Sequence, residues 1–241
     1  MRLSLDWGAL PALFPTLTEP GRWLPLLERH WALLQGAAPR VSVTSVEAGE
    51  AVKRHYAESL ELLRIIEGEG PVSMLVDIGS GGGYPGLVIA AVRPEAEIHL
   101  VEPLQKRARL LAEVAAAMGL QRVTVHAQRA EEAGRGPLRG TAPVVTARAV
   151  AELREVLEYT APLASDGALI VLPKGSGFDA ELASAEGAMA ALGVEFEAAE
   201  PMRAEISGIL RVGLFRKRGG TDARYPRRPG MAAKRPLGSK M

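Results

Sequence analysis

Residues 75–86 read Leu-Val-Asp-Ile-Gly-Ser-Gly-Gly-Gly-Tyr-Pro-Gly, an apolar run that ends in an acid and opens into a loop with five glycines. Glycine at this density permits positive φ and lets the backbone approach a ligand where a Cβ would collide. The apolar run Val72–Ile78 has the length and content of a buried strand, and Gly86–Val92 predicts the first turns of a helix packed on the same sheet. Strand, glycine turn and helix in this order predict a βα unit whose free helix N–H groups face the loop. A ligand of nucleotide type is the expected occupant.

The rest of the chain repeats that unit. Short apolar strands are predicted at Val72–Ile78, Glu97–Glu102, Val123–His126, Pro143–Thr146, Ala168–Leu172, Val194–Glu197 and Ile209–Arg216, with helices near Gly86–Val92, Leu104–Met118, Ala151–Pro162 and Ala180–Leu192. This alternation implies a doubly wound, mostly parallel α/β sheet that carries ligands at the carboxyl ends of its strands. No helix is evident between the last two strands, so a hairpin is expected there, with one antiparallel strand among the seven. Upstream the period changes. Trp23, Leu26, Leu27, His30, Trp31 and Leu34 recur at three and four, and a second helix is expected from about Glu47 to Ile66. Three regions follow: an N-terminal helical extension (1–70), the α/β domain (71–218) and a C-terminal tail (219–241).

Residues 216–241 carry nine Lys and Arg against Asp222 alone, so a segment of charge +8 follows a body of −7. Its three prolines argue against regular structure, and a flexible basic tail suits contact with nucleic acid, although a merely solvated terminus has the same composition. The absence of cysteine excludes disulfides, thiolate metal sites and a cysteine nucleophile. The first residues lack the pattern of a secretory signal, and the longest apolar stretch, Val72–Val92, contains Asp77 and the glycine loop, which a lipid-exposed helix would not carry. A soluble, cytoplasmic, monomeric protein without metal is the expectation.

Two carboxylates narrow the ligand. Gly81, Gly83 and Gly86 satisfy G-x-G-x-x-G, and Glu102 stands at the end of the next strand, a spacing that fits a dinucleotide. Asp77, however, ends the first strand, where an acid suits the ammonium of S-adenosylmethionine better than a pyrophosphate. On that reading the glycine backbone cradles the methionine part, Asp77 neutralises the ammonium and Glu102 accepts both ribose hydroxyls. Asp77 also suits tying down the loop, and Glu102 suits capping the helix near Leu104. Gln128-Arg-Ala-Glu-Glu132 follows the third strand, where backbone groups and Glu131 or Glu132 would face adenine, unless these acids merely begin a helix.

The fourth strand runs out through Val144-Val-Thr-Ala-Arg-Ala-Val150, where this architecture places its reacting groups. The stretch lacks the Asp/Asn-Pro-Pro-aromatic motif that grips an exocyclic amine, and without cysteine there is no covalent route to pyrimidine C5. Arg148 suits an electron-rich acceptor such as O6 and N7 of guanine. N7 has a free lone pair, so its methylation needs in-line placement and no catalytic base. The competing role for Arg148 is an ion pair with Glu152. Lys174 follows the fifth strand and His55 lies on the second N-terminal helix. Each suits the same cleft, or else a surface charge and a structural histidine.

In these residues the chain resembles the bacterial 16S ribosomal RNA guanine-N7 methyltransferases of the RsmG type, the glucose-inhibited division protein B family. The resemblance runs from about Val41 to Pro236 and rests on Ser42-Val-Thr-Ser-Val46, Arg54-His-Tyr-Ala-Glu-Ser59, the loop Asp77–Gly86, Glu102 with Lys106 and Arg107, Arg129-Ala-Glu-Glu132, Ala147-Arg-Ala-Val-Ala151 and Lys174-Gly175. It implies a Rossmann-like class I methyltransferase fold and transfer of methyl from S-adenosylmethionine, leaving S-adenosylhomocysteine, to N7 of a guanine in the 530 loop of 16S ribosomal RNA or the small ribosomal subunit. It implies a cofactor pocket of Gly79, Ser80, Gly81, Tyr84, Glu102, Ala130 and Glu131, beside Asp77, Gly83 and Arg148, with His55, Arg148, Lys174 and tail residues Arg227 and Arg228 meeting RNA. Two motifs depart: Ser42-Val-Thr44 stands for Asn-Leu-Thr and Ala57-Glu-Ser59 for Leu-Asp-Ser, both on the RNA side. Without the resemblance, an NAD(P)-dependent oxidoreductase and a non-catalytic RNA-binding assembly factor remain open.

Overall fold

The computed structural model describes residues 5–238. A seven-stranded sheet of β1 (Met74–Ile78), β2 (Glu97–Val101), β3 (Val123–His126), β4 (Ala142–Ala147), β5 (Ala164–Lys174), β6 (Val194–Pro201) and β7 (Arg211–Lys217) runs in the order β3-β2-β1-β4-β5-β7-β6. The pairs among β1 to β5 are parallel, and β7 lies antiparallel to both β5 and β6, so a single strand is reversed as the missing helix before it predicts. The chain winds outward from β1 to β3 on one side and from β4 on the other. The crevice beyond Ile78 and Ala147 is therefore the switch point at which such sheets bind ligands.

Alternate strand residues feed two cores. Leu75, Leu100, Val144 and Val171 join helices Pro20–Ala37, Glu58–Glu69, Gly86–Val92 and Gln105–Ala117 on one face, while Val76, Val101, Val145 and Ile170 join Leu153–Thr160 and the following helices on the other. That period of two, carried by residues apolar on both faces, makes the strands read as continuous apolar runs.

Three segments differ from expectation. The helix foreseen from Glu47 to Ile66 is composite: a 3-10 turn Ala48–Glu50, a π-helical turn Val52–Ala57 and an α-helix Glu58–Glu69. The helix foreseen at Ala180–Leu192 divides at buried Ala185 into Phe178–Ser184 and Glu186–Leu192, and the one weak breaker nearby, Gly187, falls inside the second piece and not at the break. The tail, foreseen as flexible, lies against the body through residue 238. Tyr225 and Ala232 are buried, and Met231–Lys234 forms a helical turn. Arg139 donates to the carbonyls of Thr221, Asp222 and Tyr225 at 2.7–3.2 Å, and Arg135 donates to that of Pro226 at 2.6 Å. Proline denies this segment a long helix, yet its unpaired carbonyls still need donors, and two arginines of the body supply them. Lys240 lies outside the described residues.

Candidate active site

The crevice opens into a cavity of about 620 Å³ lined by Gly79–Gly82 and Tyr84, by residues 42–46 with Arg54, His55 and Glu58 of the N-terminal extension, and by Ala147–Ala151, Lys174 and Gly175. Gly79, Ser80, Gly81, Tyr84, His55, Arg148 and Lys174 thus meet as the sequence suggests. Asp77, Gly83 and Glu102 stand behind the loop and hold or shape it, whereas Ala130, Glu131, Arg227 and Arg228 do not line the cavity.

Asp77 is fully buried at the end of β1, and its Oδ2 accepts the Gly86 N–H at 3.1 Å. Only glycine fits above it, because a Cβ at Gly86 would collide with Leu100 and reach 2.9 Å from that same Oδ2. The other oxygen, Oδ1, has no hydrogen-bond partner. Burial, opposed in part by the Gly86 N–H, pushes the carboxyl up to about 7. Glu102, at the end of β2, accepts the Gly81 N–H at 3.0 Å and the Leu104 N–H at 2.9 Å. It therefore braces the glycine loop and the approach to the following helix at once.

A buried chain ties this loop to the extension. The Tyr84 hydroxyl donates to that of Tyr56 at 3.2 Å, the Tyr56 hydroxyl donates to His30 Nδ1 at 3.0 Å, and His30 Nε2 donates to the Gly82 carbonyl at 2.9 Å. Burial lowers His30 to about 4, so the imidazole is neutral and the direction of donation is fixed. His55 stacks on the Tyr84 ring, with centroids 4.2 Å apart and planes 11° apart. Its Nδ1 accepts from Arg148 Nη2 at 3.2 Å, and its Nε2 donates to Thr44 Oγ1 at 2.7 Å. Burial first, and then the Arg148 charge, lower His55 to about 3. Arg148 sits 5.4 Å from the Tyr84 ring centroid and donates through Nη1 to the Arg54 carbonyl at 2.9 Å and to Glu58 at 3.3 Å. Glu152, the partner suggested by spacing, is occupied by Arg154 at 3.0 Å instead.

Other foreseen contacts are engaged within the protein. Lys174 Nζ donates to the Ala151 carbonyl at 2.8 Å and to Glu181 at 2.6 Å. Glu131 accepts the Gly230 N–H at 2.9 Å, and Arg227 grips the buried Glu158 with contacts of 2.6–3.1 Å. Arg228 is exposed. Glu58, Thr44, Tyr56 and His30 join the site although the sequence assigns them no individual role: Thr44, Tyr56 and Glu58 fall inside the motifs Ser42–Val46 and Arg54–Ser59, and His30 inside the helical repeat that begins at Trp23.

The donor set decides which ligand fits. A dinucleotide places its pyrophosphate at the helix start, but here the Gly86 N–H is already taken by a carboxylate, which repels phosphate. An ammonium, in contrast, satisfies the orphaned Asp77 Oδ1 and stabilises its charge. The residues present fit S-adenosylmethionine. Among the described residues no helix is long and apolar enough to cross a membrane, and no group of three or more metal-ligating side chains comes together.

The family described as GidB, rRNA small subunit methyltransferase G, matches residues 24–207. The ribosomal RNA small subunit methyltransferase G of Roseiflexus castenholzii is 39% identical over 241 residues, 98% of each chain. Its counterpart in Sorangium cellulosum is 39% identical over 189 residues, 78% of this chain and 77% of its own. The crystal structure of TYW2 from M. jannaschii in complex with AdoMet shares the fold, with a TM-score of 0.55 and 13% identity over 74% of this chain and 78% of that one. Similarity of this extent, on a sheet whose switch point holds the matching glycine loop, places the chain in the rRNA small subunit methyltransferase G family, GidB.

Proposed function

We propose that the protein transfers the methyl group of S-adenosylmethionine to N7 of a guanine in the 530 loop of 16S ribosomal RNA. The observation that carries this reading is the meeting in one cavity of a glycine loop, backed by the half-satisfied Asp77, with a guanidinium held over Tyr84. The cofactor supplies an electrophilic sulfonium methyl when bound. Asp77 offers Oδ1 to its ammonium, Glu102 a carboxylate to its ribose hydroxyls, and the backbone at Gly79–Gly81 a surface without side chains. Arg148 meets guanine O6 alone, because the N7 lone pair is the nucleophile and a bidentate grip on both acceptors would occupy it. Its Nη1 is committed to Arg54 and Glu58 and its Nη2 in part to His55, which leaves Nε–H and one Nη2–H for such a single contact.

No proton has to be removed from N7, and the neutral His55, engaged at both nitrogens, suits a wall and not a base. Lys174 and Arg227 are largely buried in their pairs, so the better phosphate contacts are exposed Arg228 with Arg54 and Arg107 at the cavity. The Nε groups of Arg54 and Arg107 are engaged by Glu58 and the Ser42 carbonyl, but their outer nitrogens are free of those bonds. The protein acts as a monomer in the cytoplasm, where its RNA is. The test incubates it with labelled S-adenosylmethionine and small ribosomal subunits lacking the modification, and maps the product by mass spectrometry. A single N7-methylguanine in the 530 loop is expected, and methyl on another atom or nucleotide overturns the assignment.

A further inference from the structure

Arg148 reaches the cavity from the loop after β4, which Lys174 holds at the Ala151 carbonyl. The next residue, Ala149, has φ 54°, a left-handed conformation that costs a non-glycine residue free energy and needs support from its surroundings. The side chain is nevertheless largely buried, and a cation removed from water is tolerated only with a partner of opposite charge and good geometry. All of its hydrogen-bond acceptors come from one short stretch of the extension, namely the Arg54 carbonyl, His55 Nδ1 and the Glu58 carboxylate. That stretch is the π-helical turn Val52–Ala57 and the first residue beyond it, a wide-turn geometry frequent at functional sites. Glu58 is itself buried, and its second oxygen is fixed by Arg54 Nε at 3.2 Å, so neither partner rotates freely.

We infer that Glu58 is a positioning residue for methyl transfer, holding the Arg148 guanidinium over Tyr84 in the orientation that the target base meets; this rests on the methyltransferase function proposed above. Arginine carries a large rotamer entropy, and a guanidinium oriented before the base arrives does not lose it during reaction. Glu58 lines the cavity, but both of its carboxylate oxygens are engaged, one by Arg148 and one by Arg54. Its influence passes through Arg148.

Four variants test this on whichever RNA the mapping experiment shows to be methylated, so that failure of the 530-loop assignment and failure of this role give different results. Glu58→Gln keeps the shape and removes the charge; kcat is expected to fall between about tenfold and 10²-fold, with the calorimetric Kd for S-adenosylmethionine within about twofold of wild type. Glu58→Asp keeps the charge but draws it back by one methylene, and a smaller loss of kcat with the same unchanged Kd is expected. In the Arg148→Met background, Glu58→Gln is expected to cost no further activity and to raise the melting temperature, because it removes a buried carboxylate that has lost its partner. The inference is overturned if both Glu58 variants turn over at the wild-type rate, or if the losses from Glu58→Gln and Arg148→Met multiply.

Discussion

Asp77 serves two purposes with its two oxygens. Oδ2 fixes the helix start through Gly86, and the unpartnered Oδ1 is the oxygen that the proposed function gives to the cofactor's ammonium. Because burial raises the carboxyl to about 7, the ligand-free protein holds its proton up to near neutrality, whereas a cationic ligand favours the ionised form. The sign follows: binding of S-adenosylmethionine tightens as pH rises through 7, and each unit below it weakens the Asp77-dependent part about tenfold. Calorimetry between pH 5.5 and 8 on wild type and Asp77→Asn measures that part as their difference. Equal pH dependence in the two proteins sinks the role.

The π-helical turn and the docked tail show how an element redirects charge that composition assigns elsewhere. Arg227 and Arg228 are neighbours in a basic segment, but Arg227 neutralises buried Glu158 while Arg228 faces solvent. Their substitutions therefore separate. Arg227→Ala is expected to cost about 3 kcal/mol of stability in urea denaturation, because it strands a buried carboxylate. Arg228→Ala is expected to leave stability unchanged and, on the phosphate contact proposed for it, to reduce the salt dependence of RNA binding by about one unit of slope. Equal effects on both readouts would mean the tail is not docked. His55 makes a related point: a helix face predicts its general direction, but the stack on Tyr84 depends on a loop distant in sequence.

At the scale of the whole molecule, the extension and the α/β domain share one polar interior. The chain from Tyr84 through Tyr56 and His30 to the Gly82 carbonyl crosses from sheet loop to N-terminal helices, so pH acts on both together. His30, His55 and His126 are held below their usual value by burial, while Asp77 and Glu58 are held above theirs. A lowered histidine costs stability as pH falls through 6.5 toward its folded pKa, and a raised carboxyl opposes that loss across the same interval. His30 at about 4 and His55 at about 3 outweigh Asp77 at about 7, while His126 and Glu58 act in opposite directions, so stability is expected to fall as pH drops from 6.5 to 5, as measured by urea denaturation. A flat or rising profile on acidification contradicts the neutral interior.

The alternation of strands and helices, the reversed strand and the glycine loop are legible in the chain because periods of two and of three to four, and the steric freedom of glycine, are local properties. The pair Asp77 and Glu102 is legible for the same reason, since each sits at a strand end. What only the tertiary structure decides is which charges meet. Arg148 selects Glu58 over nearby Glu152, Lys174 turns to Glu181, and the basic tail folds onto two arginines of the body. Burial makes an unpaired charge costly, so partners are chosen by proximity in space, and sequence separation carries little information about that distance.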